Sequence, residues 1–311
     1  MSRETTNIRK HFLKGVYRMD INYELYKVFY HVANTLSFSE ASKQLYISQS
    51  AVSQSIRTLE NKMDARLFYR STKRVSLTPA GELLYSHIAP AMTLIARGEH
   101  LVLDHTNLGQ LHIAASDTIC RYFLVPYFKQ FHDKFPNIPI KVTNATSLGC
   151  VELLEQGTVD LIVTNSPNSR LNPSYIQKTV LSFDEVFIAN SAYYDLTDRE
   201  ISFLELQNYP ILMLNRKSTT SEYLHQIFLQ HQLELRPAVE LSSNDLLIDL
   251  AKIGLGIAFV PSYCLSSSDH NLFRLKTKEG IPARQLAVSV NPSIPISEST
   301  QEFLQLLPEI E

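Results

Sequence analysis

The feature that most restricts how this 311-residue chain can fold is a rod in its first third. Leu84, Ile88, Ala91, Ile95 and Val102 follow a 4-3 spacing, with Gly98 in the missing seam position. Thr78-Pro79 ahead of them is a helix start, an N-cap followed by proline at the first helical position. The spacing predicts a helix from about Pro79 to His105, roughly 40 Å long at 1.5 Å per residue. A stripe of that length cannot be buried within one small domain, and pairing with a second copy of the chain is the simplest way to cover it. The alternative is a helix packed on its own domain. Pro90 removes one helical hydrogen bond and is expected to kink the rod. The chain therefore divides into a short part before the rod and a long part after it, as its length also suggests.

Before the rod the apolar residues recur at helical spacing. Leu25, Val28, Phe29 and Val32 form one stripe. Ser37 or Ser39 caps a second short helix that carries Glu40 in its first turn and ends near Leu45. Ser48 is the expected N-cap of a third helix, although Ala51 stands where Glu or Gln would complete a capping box. At 100° per residue Val52, Ile56, Leu59 and Met63 share one face of that helix. Ser50, Ser53, Gln54, Arg57 and Asn61 share the opposite one. A merely solvated face would favour Glu and Lys. Serine is a mediocre helix former, but Ser, Gln and Arg suit the edges of bases, and a short Ser lets the helix approach the floor of a DNA groove.

The following run, Ala65 to Gly81, reads as a short strand, a basic tip and a second strand. From Asp20 to Thr78 there are eight Lys or Arg against five Asp or Glu, a net of +3 in a chain whose overall formal charge is -2. A local cationic patch in an acidic chain is the footprint of phosphate contact. Ser39, Gln49, Ser50, Ser53, Gln54 and Arg57 are the candidate DNA contacts of the second and third helices. Arg66, Arg70, Lys73 and Arg74 are those of the wing and its flank.

These residues resemble the winged helix-turn-helix of the LysR-type transcriptional regulators. The likeness is carried by Ser37-Phe38-Ser39-Glu40-Ala41, Leu45, Ile47 to Ser53, Leu59-Glu60, Leu67 to Arg70 and Leu77 to Gly81. Two positions depart from the family pattern: Ser42 replaces its usual alanine and Asp64 its usual glycine. The resemblance implies that the rod is a dimerising linker helix. It also implies a homodimer, a homotetramer built from it, and RNA polymerase as a further partner.

After Asn107-Leu108-Gly109 the pattern changes to strand, helix, strand, helix. Strands fall at Gly109–Ser116, Ile138–Thr146 and Thr158–Asn165, with helices at Ile119–Pro136 and Ser147–Gly157 between them. Later strands fall at Asp184–Asn190, Tyr209–Asn215 and Gly256–Pro261. This alternation implies an α/β domain with a parallel sheet, which binds ligands beyond the carboxyl ends of its strands. The domain resembles the LysR-type effector domain, built like a periplasmic binding protein with two subdomains around a cleft. Pro126, Phe135-Pro136, Gly157-x-x-Asp160-Leu161 and Gly254-Leu255-Gly256-Ile257-Ala258-x-x-Pro261 carry that likeness.

The expected organisation is a disordered extension over 1–19, a winged helix-turn-helix over 20–78, a linker helix over 79–108 and an effector domain over 109–311. Within that domain, subdomain I is expected at about 109–166 and 267–311, and subdomain II at about 167–266. Effector contacts are expected where strands end and helices begin: Ser116, Thr118, Thr146, Ser147, Thr164 and Asn165 from the first subdomain, and Asn215, Ser218, Thr219 and Asn244 from the second. Ser147 also matches the position of the family's pocket hydroxyl. Hydroxyls at helix N-termini make an anion site, so a small carboxylate is the expected effector. Asp117 opposes that reading unless it points away, and Arg121 is its candidate counterweight.

Other classes find little support. The chain has no G-x-G-x-x-G, P-loop, G-x-S-x-G or H-E-x-x-H motif, so neither an enzyme nor a cofactor is expected. Cys120, Cys150 and Cys264 lack metal-ligand or C-x-x-C spacing and read as reduced, buried thiols of a cytoplasmic protein. No apolar run approaches the roughly 18 residues of a membrane span, and the basic N-terminus lacks the apolar core of a secretory signal.

Overall fold

The computed structural model describes residues 21–70, 74–103, 110–266 and 271–310. The expected N-terminal extension, Lys73 and the last residues of the expected linker lie outside them. The chain divides into two compact units, Met1–Ile95 and Ala96–Glu311.

The first unit opens with three helices, α1 (Tyr23–Thr35), α2 (Phe38–Leu45) and α3 (Gln49–Met63). Each starts at a short polar side chain that accepts a backbone N–H: Asn22 from Glu24, Ser37 from Glu40 and Ser48 from Ala51. The choice between Ser37 and Ser39 is thus settled for Ser37, and Ser39 lies exposed in the first turn of α2. Each helix ends on a left-handed residue: Leu36, Tyr46 and Asp64. At the last of these, the Ala65 N–H reaches back to the Glu60 carbonyl at 3.1 Å and the Asp64 N–H to that of Asn61. This is the six-to-one closure of a Schellman motif. It explains why a glycine is usual where Asp64 stands.

Strands β1 (Phe68–Arg70) and β2 (Val75–Leu77) pair antiparallel as the wing. Glu60 ties α3 to this wing, its Oε1 accepting the N–H groups of Leu67 (2.9 Å) and Phe68 (3.3 Å). The core is built from Val28, Phe29, Val32, Ala41, Val52, Ile56, Leu59, Leu67 and Phe68, so the predicted buried face of α3 is the observed one.

Helix α4 (Pro79–Leu103) is the rod. Thr78 locks its start: the hydroxyl donates to the Arg66 carbonyl at 2.6 Å and accepts the Gly81 N–H at 3.0 Å. A Cβ on Gly81 would lie 2.1 Å from the Leu67 carbonyl oxygen, so no larger residue fits that crossing. The expected seam divides. Leu84 and Ile88 pack on the winged-helix core beside Tyr85, whose hydroxyl donates to Asn34 Oδ1. The stripe is thus not wholly reserved for a second copy, because its first two turns cover the unit's own core. The rest of the seam, Ala91, Ile95 and Val102, stays exposed, as does Leu83 beside it.

The second unit holds two five-stranded sheets. In the first, β3 (Leu111–Ala115), β4 (Ile140–Asn144) and β5 (Leu161–Ser166) run parallel, with order β4-β3-β5-β14-β6. Strand β6 is Ile176–Phe183 and β14 is Arg284–Val290. The second sheet has order β10-β9-β11-β7-β12. Its strands are β7 (Glu185–Asn190), β9 (Ile211–Leu214), β10 (Val239–Leu241), β11 (Ile257–Pro261) and β12 (Leu272–Arg274). A small pair, β8 (Glu200–Ile201) with β13 (Lys276–Thr277), completes the strands.

Two expectations are corrected here. Both sheets are mixed, because each receives one strand from a crossing segment: β14 runs antiparallel to β5 and β6, and β7 antiparallel to β11 and β12. The subdomain boundaries also move. β6 pairs with β14 in the first sheet and β12 with β7 in the second. The chain therefore crosses at Asp184 and again between β13 and β14, not near 166 and 266.

Helices α5 (Asp117–Ile119), α6 (Val125–Lys134), α7 (Ser147–Glu155) and α11 (Glu298–Leu306) accompany the first sheet. Helices α8 (Phe203–Leu206), α9 (Thr219–Gln230) and α10 (Asn244–Lys252) accompany the second. The predicted helix at Ile119–Pro136 is interrupted by a π turn, Cys120–Leu124, closed by the Val125 N–H on the Cys120 carbonyl. The cause is Pro126, which has no N–H and whose ring excludes the carbonyl four residues back.

Candidate DNA-reading face and effector cleft

On α3 the side opposite Val52, Ile56 and Leu59 carries Ser50, Gln54, Arg57 and Asn61 exposed and Ser53 half-buried, and Gln49 is exposed at the helix start. The Ser50 hydroxyl lies 2.9 Å from that of the cap Ser48, so part of the face is tied to the helix start. Arg66 and Arg74 are exposed at the wing, and Arg70 closes β1 opposite Val75. The sequence reading missed Tyr46, which is 95% exposed in the turn before α3 and left-handed in its backbone. An aromatic with a polar tip, presented beside the recognition helix, suits contact with a phosphate backbone. Its odd placement between two helix signals was the available clue.

The cleft of the second unit is a cavity of about 130 Å³ between the two sheets. Its walls are helix starts. Ser116, Thr146, Ser218 and Ser243 are the N-caps of α5, α7, α9 and α10, and all four line it together with the residues that follow them. Each cap oxygen accepts a backbone N–H, from Ile119, Gly149, Ser221 and Leu246 in turn. Ser147 Oγ accepts from the Asn165 N–H at 3.3 Å. Each of these hydroxyls has one acceptor site taken by a backbone N–H and keeps its O–H proton to give. The helix starts add unpaired N–H groups and the positive ends of their dipoles.

Eight of the ten expected effector contacts line this cavity: Ser116, Thr118, Thr146, Ser147, Asn165, Ser218, Thr219 and Asn244. Thr164 and Asn215 do not. Thr164 is buried in β5 opposite Ala287, and in a strand its side chain must face away from that of Asn165. Asn215 turns its Oδ1 to the Lys217 N–H at 3.1 Å, closing the turn before α9. Thr220, Ser242, Pro261 and Tyr263 line the cavity without having been expected. Asp117 reaches the rim but is exposed. Arg121 pairs with Asp245 at 3.6 Å, so it does not offset Asp117.

Several bonds span the cleft. Asn165 Nδ2 donates to Thr219 Oγ1 (3.3 Å), Asn244 Nδ2 to Thr118 Oγ1 (3.0 Å), and the Tyr122 hydroxyl to Asp245 Oδ1 (2.5 Å). Burial pushes the Tyr122 phenol up, and the Asp245 carboxylate adds to the shift, so its proton stays in that bond at neutral pH. The three cysteines are free; burial raises Cys120 to about 11 and Cys150 to about 12, and Cys264 higher still.

A winged helix-turn-helix joined to a two-lobed domain that closes around a hydroxyl-lined cavity defines a regulator that reads DNA and senses a small molecule. The chain belongs to the LysR family of bacterial transcriptional regulators. The family's helix-turn-helix matches residues 23–82 and the "LysR substrate binding domain" matches residues 105–310. It is 29% identical over 241 residues to the HTH-type transcriptional regulator CysL of Bacillus subtilis, covering 76% of this chain and 79% of that one. Among solved structures it is similar to a single-residue variant of full-length OxyR from Pseudomonas aeruginosa, with TM-score 0.63, 18% identity and 91% of each chain covered. It is also similar to the CcmR regulatory domain of Synechocystis in complex with 2-PG, with TM-score 0.58 and 22% identity, covering 63% of this chain and 94% of that one. The protein is thus a sequence-specific DNA-binding transcriptional regulator with a small-molecule effector domain. Among the described residues, no helix is long and apolar enough to cross a membrane and no cluster of three His, Cys, Asp or Glu could hold a metal ion.

Proposed function

We propose that Gln49, Ser50, Ser53, Gln54 and Arg57 read base edges in the major groove while Ser39, Arg66, Arg70, Lys73 and Arg74 hold phosphates. The effector is a small carboxylate bound in the cleft between the two sheets. The observation that supports this reading is the convergence of helix starts on one cavity whose cap hydroxyls each accept a backbone N–H and keep the O–H proton to give. Such a wall of O–H donors and helix starts favours an anion. The complex of the CcmR domain with 2-PG shows a domain of similar fold holding a small ligand.

In this reading the protein acts in the cytoplasm as a homodimer and has no catalytic activity. The dimer forms through α4, whose Ala91, Ile95 and Val102 are exposed along one stripe, and pairs further into a homotetramer that contacts RNA polymerase. Effector binding shifts the balance between subunit arrangements by preferring one of them.

Footprinting on DNA from the protein's own chromosomal neighbourhood tests the first half. Arg57→Ala should weaken specific binding by about 1–3 kcal/mol if Arg57 reads a base. An equal loss on random DNA would confine it to phosphate contact. Thermal shift against small carboxylates tests the second half, and stabilisation by amines or neutral sugars instead would overturn it.

A further inference from the structure

The cleft wall contains two groups that a carboxylate cannot satisfy. Asn165 lies one residue before the end of β5 on one subdomain and Asn244 opens α10 on the other, so they face the cavity from opposite walls. Each sends an amide N–H across the cleft, to Thr219 and Thr118. Their carbonyl oxygens, Asn165 Oδ1 and Asn244 Oδ1, are buried and have no partner. Asn244 as a whole is only 4% exposed. Buried polar atoms left unpaired in a native structure call for an explanation, and here the shared feature is that both side chains border the same cavity.

We propose that the effector is a small organic acid with an O–H or N–H donor beside its acid group, a hydroxy acid or an amino acid rather than a plain carboxylate. This rests on the reading of the cleft as the effector site. The acid oxygens meet the cap hydroxyls and the starts of α7, α9 and α10, each a helix of nine residues or more. The added donor meets the asparagine carbonyls, which would repel a carboxylate oxygen placed against them. A ligand that bonds both asparagines joins the two walls and so holds the cleft closed. No lysine or arginine lines the cavity among the described residues, so the site suits one net negative charge, or a zwitterion, better than a multiply charged anion. Its volume of about 130 Å³ is close to the roughly 150 Å³ of a cavity that admits benzene, which limits the ligand to about six to eight non-hydrogen atoms.

The test uses the full chain and matched acids differing at one group: propionate, lactate and alanine, then acetate, glycolate and glycine. Thermal shift and calorimetry report on each. The hydroxylated or aminated member of a set should bind about fivefold or more tighter than its parent, the smallest gap expected when buried acceptors lose their donors. Which of the two additions wins assigns hydroxy acid or amino acid. Asn165→Ala and Asn244→Ala, made separately, should each shrink that gap. Equal binding of parent and substituted acids to the unaltered chain overturns the donor requirement and leaves the cleft as an anion site. Binding by no member of either set overturns the small-acid reading of the cleft and this proposal with it.

Discussion

Glu185 and Arg284 are the first residues of β7 and β14, the strands that follow the two crossings between subdomains, and they form a buried ion pair at 2.7 Å. The Thr220 hydroxyl joins both, donating to Glu185 Oε1 at 3.0 Å and accepting from Arg284 at 3.1 Å, and Thr220 also lines the cleft. The Arg284 guanidinium lies over the Tyr223 ring. The two strands that follow the crossings are thus joined by one charge pair, and Thr220, bonded to both members, also borders the cleft.

Breaking such a pair from one side leaves an uncompensated buried charge, at a cost of about 3–5 kcal/mol. Glu185→Gln should lose that much stability in urea unfolding. Arg284→Met should behave differently with pH, because a carboxyl can take up a proton and a guanidinium cannot release one. Burial already drives the Glu185 carboxyl above its usual range, while Arg284 and Thr220 pull it down. An acid whose folded pKa is raised adds stability that is complete below its unfolded value of about 4.3 and lost as pH rises through the folded value. Arg284→Met should therefore recover stability relative to Glu185→Gln as pH falls from about 8 to 5. Parallel pH dependence of the two variants would argue against this account.

At the end of α3, Asp64 holds a left-handed backbone, φ 49° and ψ 41°. That conformation costs an L-residue roughly 1–2 kcal/mol, somewhat less for Asp, and costs glycine almost nothing. Asp64→Gly should stabilise the first unit by up to about 1 kcal/mol, the flexibility of glycine in the unfolded chain offsetting part of the gain. The midpoint of thermal unfolding reports it. A lower midpoint would show that the aspartate side chain contributes more than the strain takes away.

Much of this architecture is visible in local sequence because its determinants are local. A serine or threonine ahead of an apolar period marks a helix start, which is why Ser48 could be read directly and the start of α2 narrowed to Ser37 or Ser39. β6 and β14 left no such mark. Their pairing joins residues about a hundred positions apart, such as Ile176 with Val290, and no period along the chain records a partner that distant. The stripe of α4 shows that it will be covered but not by what, so the packing of Tyr85 against Asn34 was hidden. Thr164 could have been excluded, since two adjacent residues of a strand cannot both face one cleft. Tyr263 comes from the loop after β11 and enters the cavity wall only through folding.

The thiols yield a chemical prediction. Burial raises Cys120 to about 11, with Asp117 adding to the shift, and Cys150 to about 12. The thiolate is the reactive form, so alkylation of the folded chain should be slow at pH 7–8 and accelerate as pH climbs past about 9, a free thiol titrating near 8.5. Mass spectrometry after iodoacetamide treatment, with and without denaturant, separates the states. Rapid labelling of Cys120 in the native protein near neutral pH would contradict the assignment of these cysteines as inert packing residues.

Gly81 offers the sharpest separation of the two units. It sits in the first turn of α4 where the Leu67 carbonyl oxygen crosses it, and a Cβ there would fall 2.1 Å from that oxygen and 3.0 Å from the Leu77 side chain. The nearer contact is backbone, already fixed by the Thr78 N–H on that same carbonyl at 3.0 Å, so it cannot move aside as a flexible side chain would. Gly81→Ala must push α4 away from the wing or distort the strand entry at Leu67, an overpacking cost of about 1–3 kcal/mol. The helix itself would gain from alanine, since glycine is roughly 1 kcal/mol poorer in a helix interior. The crossing contact should nevertheless dominate. DNA binding should weaken because Thr78, Glu60 and the wing share one bonded junction. Ligand-induced stabilisation of the effector domain should persist, since its cavity is lined only by residues from Ser116 onward. A gel shift and a ligand thermal shift on the same Gly81→Ala preparation give both readings, and loss of the ligand response alongside DNA binding would show that the junction supports the whole chain.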